Sequence, residues 1–194
     1  MNELYKRMLE KAINPSDINE HILTLFGYAF GCDHITEMGT REITSTWAFL
    51  AAKPKKLVGI DIYVSPNLPE AQKLSKENEI NFQFLNQSTL QPGFEIEQTD
   101  FLFIDTAHTY AQLSQELLRH AHKVNKYIAF HDTTSYGFVN EPPYAANLEL
   151  EQSVNSNDPQ GLVPAITEFV NSNHEWVIDR SYNNNNGLTI IAKL

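Results

Sequence analysis

The sequence predicts an α/β protein, a three-layer sandwich in which a mostly parallel sheet of seven strands lies between layers of helices. Short apolar runs typical of buried strands alternate with segments of helical spacing over most of the chain. Near the C-terminus, two strands follow each other directly across Asn183 to Gly187, and these residue types tolerate positive φ. One strand of this final hairpin is therefore predicted to run antiparallel to the rest of the sheet.

The first half of the chain begins with two predicted helices, 3–13 and 17–30. Pro15 separates them because proline ends a helix, and Ser16 or Asp17 caps the second helix. The following elements then alternate: strand 34–38, helix 42–52, strand 57–62, helix 69–78 and strand 81–85. The helices of residues 1–32 either cover a site or form the contact face of a homo-oligomer.

Two apolar runs in the middle of the chain, 100–105 and 127–132, each end in acidic and imidazole groups. The segment between them, Tyr110 to Val124, has helical spacing, so the three elements form a strand–helix–strand unit. Such crossovers are right-handed and join parallel strands, whose carboxyl ends share the edge where open α/β sheets bind ligands. Four side chains are therefore predicted to converge there in an active site: Asp105, His108, His131 and Asp132.

The C-terminal part of the chain starts with a long stretch, 133–160, that is rich in Ser, Asn, Pro and Gly. It is too long for a plain connection, so it is predicted to be either a substrate lid or partly disordered. A helix at 162–172 and strands at 175–180 and 187–193 complete the chain.

The composition places the chain among globular proteins. Its 194 residues suit one domain covering 1–194, with 42% apolar and 20% charged residues. The net charge of −10 argues against a nucleic-acid partner, because phosphate binding needs clustered Lys and Arg. No apolar run of about 18 residues is present, so no membrane partner is expected, and no secretory signal is seen. The single Cys32 permits no internal disulfide, which fits a cytoplasmic location.

A glycine turn and an acidic strand end indicate a nucleotide site. Gly39 follows the first strand and precedes a helix, whose N-terminus offers free N–H groups to a ligand. Asp61 ends the next strand, where an acid accepts hydrogen bonds from ribose hydroxyls. The segment is not G-x-G-x-x-G, which disfavours a nicotinamide dinucleotide. The alternative is structural, with a capped turn at Gly39 and Asp61 capping the turn after its strand.

Three side chains at the predicted edge suit a divalent cation such as Mg²⁺ or Mn²⁺: Asp105, His131 and Asp132. Adjacent strand residues point to opposite faces, so His131 and Asp132 can share one ion only if the chain is turning at His131. Otherwise Asp132 caps the next turn and His131 packs in the core. His108 is a candidate general base near pH 7, or else makes a structural hydrogen bond. His120, on the crossover helix away from this edge, is expected on a solvated face.

Five segments of the chain, in order, carry a family resemblance. They read Glu37-Met-Gly-Thr-Arg-Glu-Ile-Thr-Ser-Thr, Val58-Gly-Ile-Asp61-Ile, Phe103-Ile-Asp105-Thr-Ala-His108-Thr-Tyr110, Phe130-His131-Asp132-Thr and Asn186-Gly187-Leu-Thr-Ile-Ile. Together they resemble class I S-adenosylmethionine-dependent methyltransferases. The closer likeness is to methyltransferase family 24 and its relatives, the metal-dependent sugar and macrolide O-methyltransferases and the cephalosporin-hydroxylase-like proteins. It covers about residues 33–193 and implies a Rossmann-like sheet.

The resemblance implies S-adenosylmethionine as the cofactor and a role for individual residues. Cofactor binding would fall to Glu37, Gly39, Arg41, Ser45, Asp61, Gln87, Ser88 and Asp105. Among these, Glu37 and Gly39 would hold the methionine end, Asp61 the ribose, and Gln87 and Ser88 would lie beside the adenine. The metal ligands would be Asp105, His131 and Asp132. His108, which matches the histidine of the family's I-D-x-x-H-x-Y motif, and His131 would be the catalytic residues.

Two departures from the family pattern bear on this reading. Ile43 stands where such sequences usually carry a second glycine, so it is expected to crowd the methionine moiety of the cofactor. His131 stands where the family more often has Asp or Glu, which affects the identity of the metal.

The predicted function is methyl transfer from S-adenosylmethionine to a hydroxyl of a sugar or other small polyol, with help from a divalent metal. His108 would accept the hydroxyl proton, and the 133–160 loop, with Tyr136, Phe138 and Tyr144, would cover the acceptor. Two alternatives stay open. One is a metal-dependent hydrolase on a related α/β sheet, in which the same four side chains activate water. The other is a non-catalytic cofactor-binding module.

Overall fold

A seven-stranded sheet forms the centre of the molecule in the computed structural model, which describes residues 2–142 and 159–194. The strands are β1 (His34–Met38), β2 (Lys56–Asp61), β3 (Asn81–Asn86), β4 (Thr99–Ile104), β5 (Val124–His131), β6 (Trp176–Tyr182) and β7 (Leu188–Lys193). The helices are α1 (Glu3–Ile13), α2 (Ile22–Ala29), α3 (Thr46–Ala51), α4 (Leu68–Glu77), α5 (Tyr110–His120) and α6 (Leu162–Ser172).

The strand order across the sheet is β3-β2-β1-β4-β5-β7-β6. The first five strands are parallel, whereas β7 runs antiparallel between β5 and β6. The strand order therefore reverses between β1 and β4, and a crevice forms outside the carboxyl ends of strands at such a reversal. The predicted class, a mostly parallel sheet with an antiparallel C-terminal hairpin strand, is confirmed.

Helices cover both faces of the sheet because the central strands are apolar on both sides. In β4, Phe101 and Phe103 belong to the core under α1, α2, α3 and α4, whereas Leu102 and Ile104 belong to the core under α5 and α6. Successive residues of a strand point to opposite faces, so one continuous apolar run supplies both cores. This packing fixes the position of β4 between the two cores, and therefore the position of Asp105, which directly follows the strand.

Three predicted helices differ from the structure at their ends. The helix expected over 42–52 begins only at Thr46, because Arg41 and Ile43 have φ of 40° and 65° and cannot belong to a right-handed helix. The helix expected over 17–30 is a 3₁₀ turn, Asn19–His21, followed by α2. The crossover helix ends at His120, and after a further 3₁₀ turn the chain enters β5 at Val124.

The segment predicted to be a lid is described only at its two ends. Residues 133–142 follow β5, and 159–161 lead into α6, whereas 143–158, including Tyr144, lie outside the described residues. Asn140 ties the two ends together, since its Oδ1 accepts hydrogen bonds from the backbone N–H groups of Tyr110 (3.0 Å) and Gly161 (2.8 Å). Within the described ranges, no helix is long and apolar enough to cross a bilayer.

Candidate functional site

A cavity of about 420 Å³ opens at the carboxyl ends of β1, β2 and β4, where the strand order reverses. Its volume falls within the roughly 300–1,000 Å³ that small-molecule and cofactor sites usually have. Most of the predicted site residues line it: Gly39, Arg41, Asp61, Gln87, Ser88, Asp105, His108 and Asp132. Glu37, Ser45 and His131 lie behind this lining.

Gly39 allows the chain after β1 to pass close to the chain after β4. Its φ is +86°, and a Cβ at this position would lie 1.9 Å from the carbonyl oxygen of Asp105. A backbone hydrogen bond from Asp105 N–H to the Met38 carbonyl (2.8 Å) spans the contact, and one from Gly39 N–H to the Ile60 carbonyl (2.9 Å) fixes the turn on the β2 side. Only glycine combines this φ with this approach, so the turn is built around the absence of a side chain.

Asp61 organises the loop that Gly39 begins. Its Oδ2 accepts hydrogen bonds from the backbone N–H groups of Thr40 (2.8 Å) and Arg41 (2.7 Å), and its Oδ1 accepts one from Tyr63 N–H (2.8 Å). The carboxylate therefore caps the turn, as the structural alternative required. Each carboxylate oxygen has two lone pairs, however, and Asp61 lines the cavity, so it keeps acceptor capacity for a ligand hydroxyl.

Glu37 and Ser45 form a hydrogen-bonded group beneath the cavity lining. Glu37 is fully buried and accepts hydrogen bonds from Ser45 Oγ and from Thr46 Oγ1, the latter at 2.6 Å. Burial raises the pKa of Glu37 to about 8, although both hydroxyl donors oppose the shift. Neither Glu37 nor Ser45 is among the residues that line the cavity, so in this conformation they support the turn that contains Gly39 from behind.

The rest of the loop after β1 separates Arg41 from Ile43. Arg41 lines the cavity and pairs with Asp17 from the N-terminal segment (Nη1 to Oδ2, 3.0 Å), so the N-terminal part of the chain reaches the site. Ile43 is fully buried in the core with Trp47 and is absent from the cavity lining. The expectation that Ile43 crowds the cavity is therefore not met by this geometry.

Gln87 and Ser88 follow β3 and close one end of the cavity. The backbone of Gln87 is fixed by a hydrogen bond from its N–H to the Asp61 carbonyl (3.0 Å), which joins this end to the β2 side of the cavity. Its Nε2 is buried without a hydrogen-bond partner among the described residues. An unpaired buried donor favours a ligand acceptor at this place, because leaving it unpaired costs about 1–3 kcal/mol.

The four side chains predicted to converge do so, although Asp105 and His131 are 26 residues apart. His108 Nε2 lies 3.1 Å from Asp105 Oδ1 and 3.0 Å from Asp132 Oδ2. His131 Nδ1 lies 3.4 Å from Asp105 Oδ1 and 3.2 Å from Asp132 Oδ2. Two imidazoles thus alternate with two carboxylates, and this arrangement confirms the predicted meeting of the β4 and β5 ends.

Asp132 and His131 face one site because the chain turns between them. Asp132 has φ of +60°, in the left-handed region, so it leaves the alternation of the strand and points to the same side as His131. The other ring nitrogen of His131, Nε2, lies 3.3 Å from the carbonyl oxygen of Asn185 in the β6–β7 turn. This carbonyl accepts a hydrogen bond and leaves Nδ1 directed at the carboxylates.

The charges of this cluster shift the pKa of every member. Burial alone would lower the pKa values of the histidines, but the carboxylate partners raise the pKa of His108 to about 12 and that of His131 to about 10. Burial alone would raise the pKa values of the acids, but the histidines lower the pKa of Asp132 to about 2 and hold that of Asp105 well below its usual range. At neutral pH the cluster therefore holds two imidazolium and two carboxylate groups.

Sequence reasoning missed Glu141 and the contact of Tyr136. Glu141 Oε2 accepts hydrogen bonds from His108 Nδ1 (3.0 Å) and His108 N–H (3.2 Å), and the hydrogen bond from His108 lowers the pKa of Glu141. The ring of Tyr136 is stacked on the imidazole of His108, with centroids 5.1 Å apart and planes 4° apart. Phe138, by contrast, is exposed. The loop after β5 therefore holds His108 from both its edge and its face.

The donor set of this cluster fits a small divalent cation. One ligand atom each from Asp105, His131 and Asp132 lie within 4.8 Å of one another. At Mg–ligand distances of about 2.0–2.1 Å in an octahedron, neighbouring ligand atoms are roughly 3 Å apart, close to the 3.2 Å and 3.4 Å between His131 Nδ1 and the two carboxylates. In addition, Asp132 Oδ1 is buried without a hydrogen-bond partner among the described residues.

Comparisons with known proteins show the fold. No protein-family model matches the chain, and no curated protein matches it. Among solved structures, the O-methyltransferase TomG from Streptomyces achromogenes, involved in tomaymycin synthesis and in complex with S-adenosylmethionine, is 12% identical; the alignment covers 100% of this chain and 90% of that one, with a TM-score of 0.56. The Podospora anserina methyltransferase PaMTH1, bound to S-adenosylhomocysteine, is 13% identical over 98% of this chain and 87% of that one, with a TM-score of 0.55.

A third solved structure, also with the cofactor product bound, has a similar fold. TrmK from M. capricolum, in complex with S-adenosylhomocysteine, is 15% identical over 89% of this chain and 67% of that one, with a TM-score of 0.55. The chain therefore has the fold of S-adenosylmethionine-dependent methyltransferases, as the resemblance implied. The narrower likeness to methyltransferase family 24 and the sugar O-methyltransferases stays a prediction.

Proposed function

We propose that this protein is an S-adenosylmethionine-dependent O-methyltransferase that uses a divalent cation and acts on a hydroxyl of a small molecule, with a sugar or other polyol as the acceptor class. The observation that carries the proposal is the position of the four-residue charged cluster. It lies at the wall of a cofactor-sized cavity, at the reversal of strand order, in a fold shared with methyltransferases.

The cofactor would occupy the part of the cavity between Gly39 and Gln87. Asp61 would accept hydrogen bonds from the ribose hydroxyls, and the close approach of the backbone at Gly39 leaves room for the methionine part. The methionine part ends in an amino-acid group with a carboxylate and an ammonium. Arg41 and Asp17 carry charges complementary to these two groups, and both side chains line the cavity. Glu37 and Ser45 would act indirectly in this arrangement, through the turn that they support.

The cation would be held by Asp105, His131 and Asp132. When bound, it would orient the acceptor oxygen and lower the pKa of the hydroxyl, so that proton removal becomes easier. The sulfonium methyl is already electrophilic, so the remaining task of the protein is to place the hydroxyl in line with it. The closely packed carboxylates after β4 and β5 give such a site a fixed position.

His108 would be the group that accepts the hydroxyl proton, and its surroundings set a condition on that role. With its proton shared between Asp105 and Asp132, His108 is a hydrogen-bond donor at neutral pH. When those carboxylates are engaged by a cation, His108 keeps Glu141 as an acidic partner, and the positive charge nearby lowers the pKa of His108. His108 would therefore act as a base only when the cation is bound to the carboxylates.

Ligand binding and methyl transfer test the proposal separately. Calorimetry with S-adenosylhomocysteine is expected to show binding to the wild-type protein. Asp61→Asn should weaken it at least tenfold, because a hydrogen bond to a charged group contributes about 1.5–3 kcal/mol. Asp33→Asn is the matched control, since Asp33 is an exposed acid that pairs with Lys55 outside the cavity lining.

Transfer is measured with S-adenosylmethionine labelled in its methyl group, across a panel of sugars and polyols, with and without Mn²⁺. We expect label in at least one hydroxyl acceptor, more of it with Mn²⁺, and little with His108→Gln. Failure of both S-adenosylhomocysteine and S-adenosylmethionine to bind would overturn the proposal. Binding without transfer to any acceptor would instead point to a cofactor-binding module.

A further inference from the structure

One buried carboxylate, Glu116 of α5, holds three residues that line the cavity. Its Oε1 accepts hydrogen bonds from Thr89 Oγ1 (2.5 Å), Gln112 Nε2 (2.8 Å) and Thr106 Oγ1 (2.9 Å), and its Oε2 lies 2.9 Å from Thr106 Oγ1 as well. Glu116 has no exposed surface, and all three of its partners line the cavity. It is therefore a support for one wall of the cavity rather than part of the lining.

The donors of this wall are used up in holding it together. Gln112 Nε2 donates one hydrogen to Glu116 Oε1 and the other to Thr89 Oγ1 (3.2 Å), and an amide nitrogen has only two. The Thr89 hydroxyl has donated its single hydrogen to Glu116. What these two residues retain for a ligand is therefore acceptor capacity: the carbonyl oxygen of Gln112 and a lone pair on Thr89 Oγ1.

The same orientation holds whether Glu116 is charged or neutral. Burial raises the pKa of Glu116, against the effect of its hydroxyl and amide donors. A proton on Glu116 would sit on Oε2, next to Thr106 Oγ1, because Oε1 already accepts from Thr89 and Gln112. The Thr106 hydroxyl can reverse its direction, whereas the Gln112 amide stays as it is.

The loop that contains Thr89 is held on its other side too. His120 Nε2 lies 3.0 Å from the Thr89 carbonyl, and Arg119 Nη1 donates to the Leu90 carbonyl at 2.6 Å. His120 is fully buried, which corrects the expectation of a solvated face, because its polar edge meets the loop after β3 instead of water. The acceptor wall thus has a rigid backbone behind it.

We propose that this wall selects a 6-amino purine over a 6-oxo purine, through the carbonyl oxygen of Gln112 that Glu116 directs at the ligand. The inference rests on the proposed function, since it names the base of the cofactor. An adenine amino group donates hydrogen bonds to such an acceptor, whereas the 6-oxo group of hypoxanthine is itself an acceptor and would face it unpaired. Glu116 is a positioning residue here, and Gln112 is the residue that contacts the base.

The test compares two ligands whose bases differ in the 6-substituent and in the proton that hypoxanthine carries on N1, S-adenosylhomocysteine and S-inosylhomocysteine, by calorimetry on the full chain. The wild-type protein should bind the adenine ligand about 10- to 100-fold more tightly, the discrimination typical of one well-placed pair of base contacts. Glu116→Gln should keep this ratio, because an amide oxygen still accepts from Thr89 and Gln112 while its NH₂ group donates to Thr106. Glu116→Leu should bring the ratio to within about threefold of one, since it removes the acceptor that fixes Gln112.

Two further variants test the same affinity ratio even if Glu116→Leu does not fold. Gln112→Met removes the carbonyl directly and should also collapse the ratio. Gln115→Met, on the same helix outside the cavity lining, should leave the ratio unchanged. The inference is overturned if the wild-type ratio is near one, or if Gln112→Met keeps the wild-type ratio. Absence of binding of both ligands to the wild-type protein would instead remove the proposed function itself.

Discussion

Replacing Gly39 by alanine tests whether the site depends on the contact between the β1 and β4 ends. Two costs add up. A side chain at a left-handed φ costs roughly 1–2 kcal/mol. The Cβ would also lie 1.9 Å from the Asp105 carbonyl oxygen, so the backbone must move and strain the two hydrogen bonds that fix it, at about 0.5–1.5 kcal/mol each. Together Gly39→Ala should lower the free energy of unfolding by about 2–5 kcal/mol.

Gly93→Ala is the matched control for the strain alone. Gly93 has φ of +77°, close to that of Gly39, but a Cβ there would meet no atom within 4 Å. Its cost should therefore be only the roughly 1–2 kcal/mol of the left-handed conformation. For a chain of this size each kcal/mol lowers Tm by about 2–4 °C, so the two variants should be separable by melting temperature.

Stability is measured by urea unfolding, monitored through the fluorescence of the buried Trp47 and Trp176. Ligand affinity is measured by calorimetry with S-adenosylhomocysteine. Gly39→Ala should lose stability and bind the ligand at least tenfold more weakly, because the displaced turn contains the N–H groups that Asp61 holds. Gly93→Ala should keep wild-type affinity. Equal stability losses in the two variants, within about 0.5 kcal/mol, would show that the close approach has no energetic consequence.

Three further outcomes follow from the buried groups. Glu37→Gln should remove a pH dependence of the free energy of unfolding. Because folding raises the pKa of Glu37 from 4.5 to about 8, the wild-type protein loses up to about 1.4 kcal/mol of stability per pH unit as pH rises through that range. In urea titrations, the stability of the variant relative to the wild type should therefore increase from pH 5 to pH 8. Mn²⁺ should raise the Tm of the wild type but not of Asp132→Asn, and the rise should be larger at pH 8 than at pH 6, because ligands that must lose protons bind metal more weakly in acid; an equal rise in both proteins would contradict the site. Ile43→Gly should reduce stability, by about 1–3 kcal/mol net of the strain that it relieves, without tightening S-adenosylhomocysteine binding; tighter binding would mean that Ile43 does crowd the cofactor.

The sheet and the meeting of the charged side chains were predictable because both depend on patterns that a sequence displays. Apolar runs such as 100–105 indicate strands buried on both faces, and one right-handed crossover is enough to bring Asp105 and His131 to a common edge. Neither step needs knowledge of side-chain packing. The strand alternation of β5 predicted the opposite facing of His131 and Asp132, and only the turn at Asp132 reconciles both with one site.

The backbone conformation of single residues was harder to predict from the sequence. Ile43 is β-branched, and nothing in its type suggests a φ of 65°, so a helix starting at 42 was the natural expectation. The loop after β1 adopts this conformation because burial of the Ile43 side chain compensates for the strain. A residue that looked like an obstruction in the cavity is therefore part of the core beneath it.

Long-range partners of ordinary polar residues were not predictable at all. Glu116 and His120 lie at i+3 and i+7 from Leu113, on the buried side of α5, but their polar side chains alone would favour a solvated position. They are buried because the loop after β3 folds over α5 and brings Thr89 to both of them. Glu141 likewise becomes part of the site only because the chain after β5 returns to His108.

Four carboxylates at this edge, Glu37, Glu116, Asp105 and Asp132, fall into two groups, and their partners explain the division. In the described part of the chain, Glu37 and Glu116 receive hydroxyl and amide donors only, so desolvation prevails and the pKa of each is raised. Asp105 and Asp132 face imidazolium groups, so the pKa of each is lowered. A carboxyl that is easily protonated suits the support of a wall, whereas one that stays ionised suits the binding of a cation. The ionised carboxylates are thus at the ends of β4 and β5, where the two imidazolium groups balance their charge and a divalent ion would take the place of the imidazolium protons.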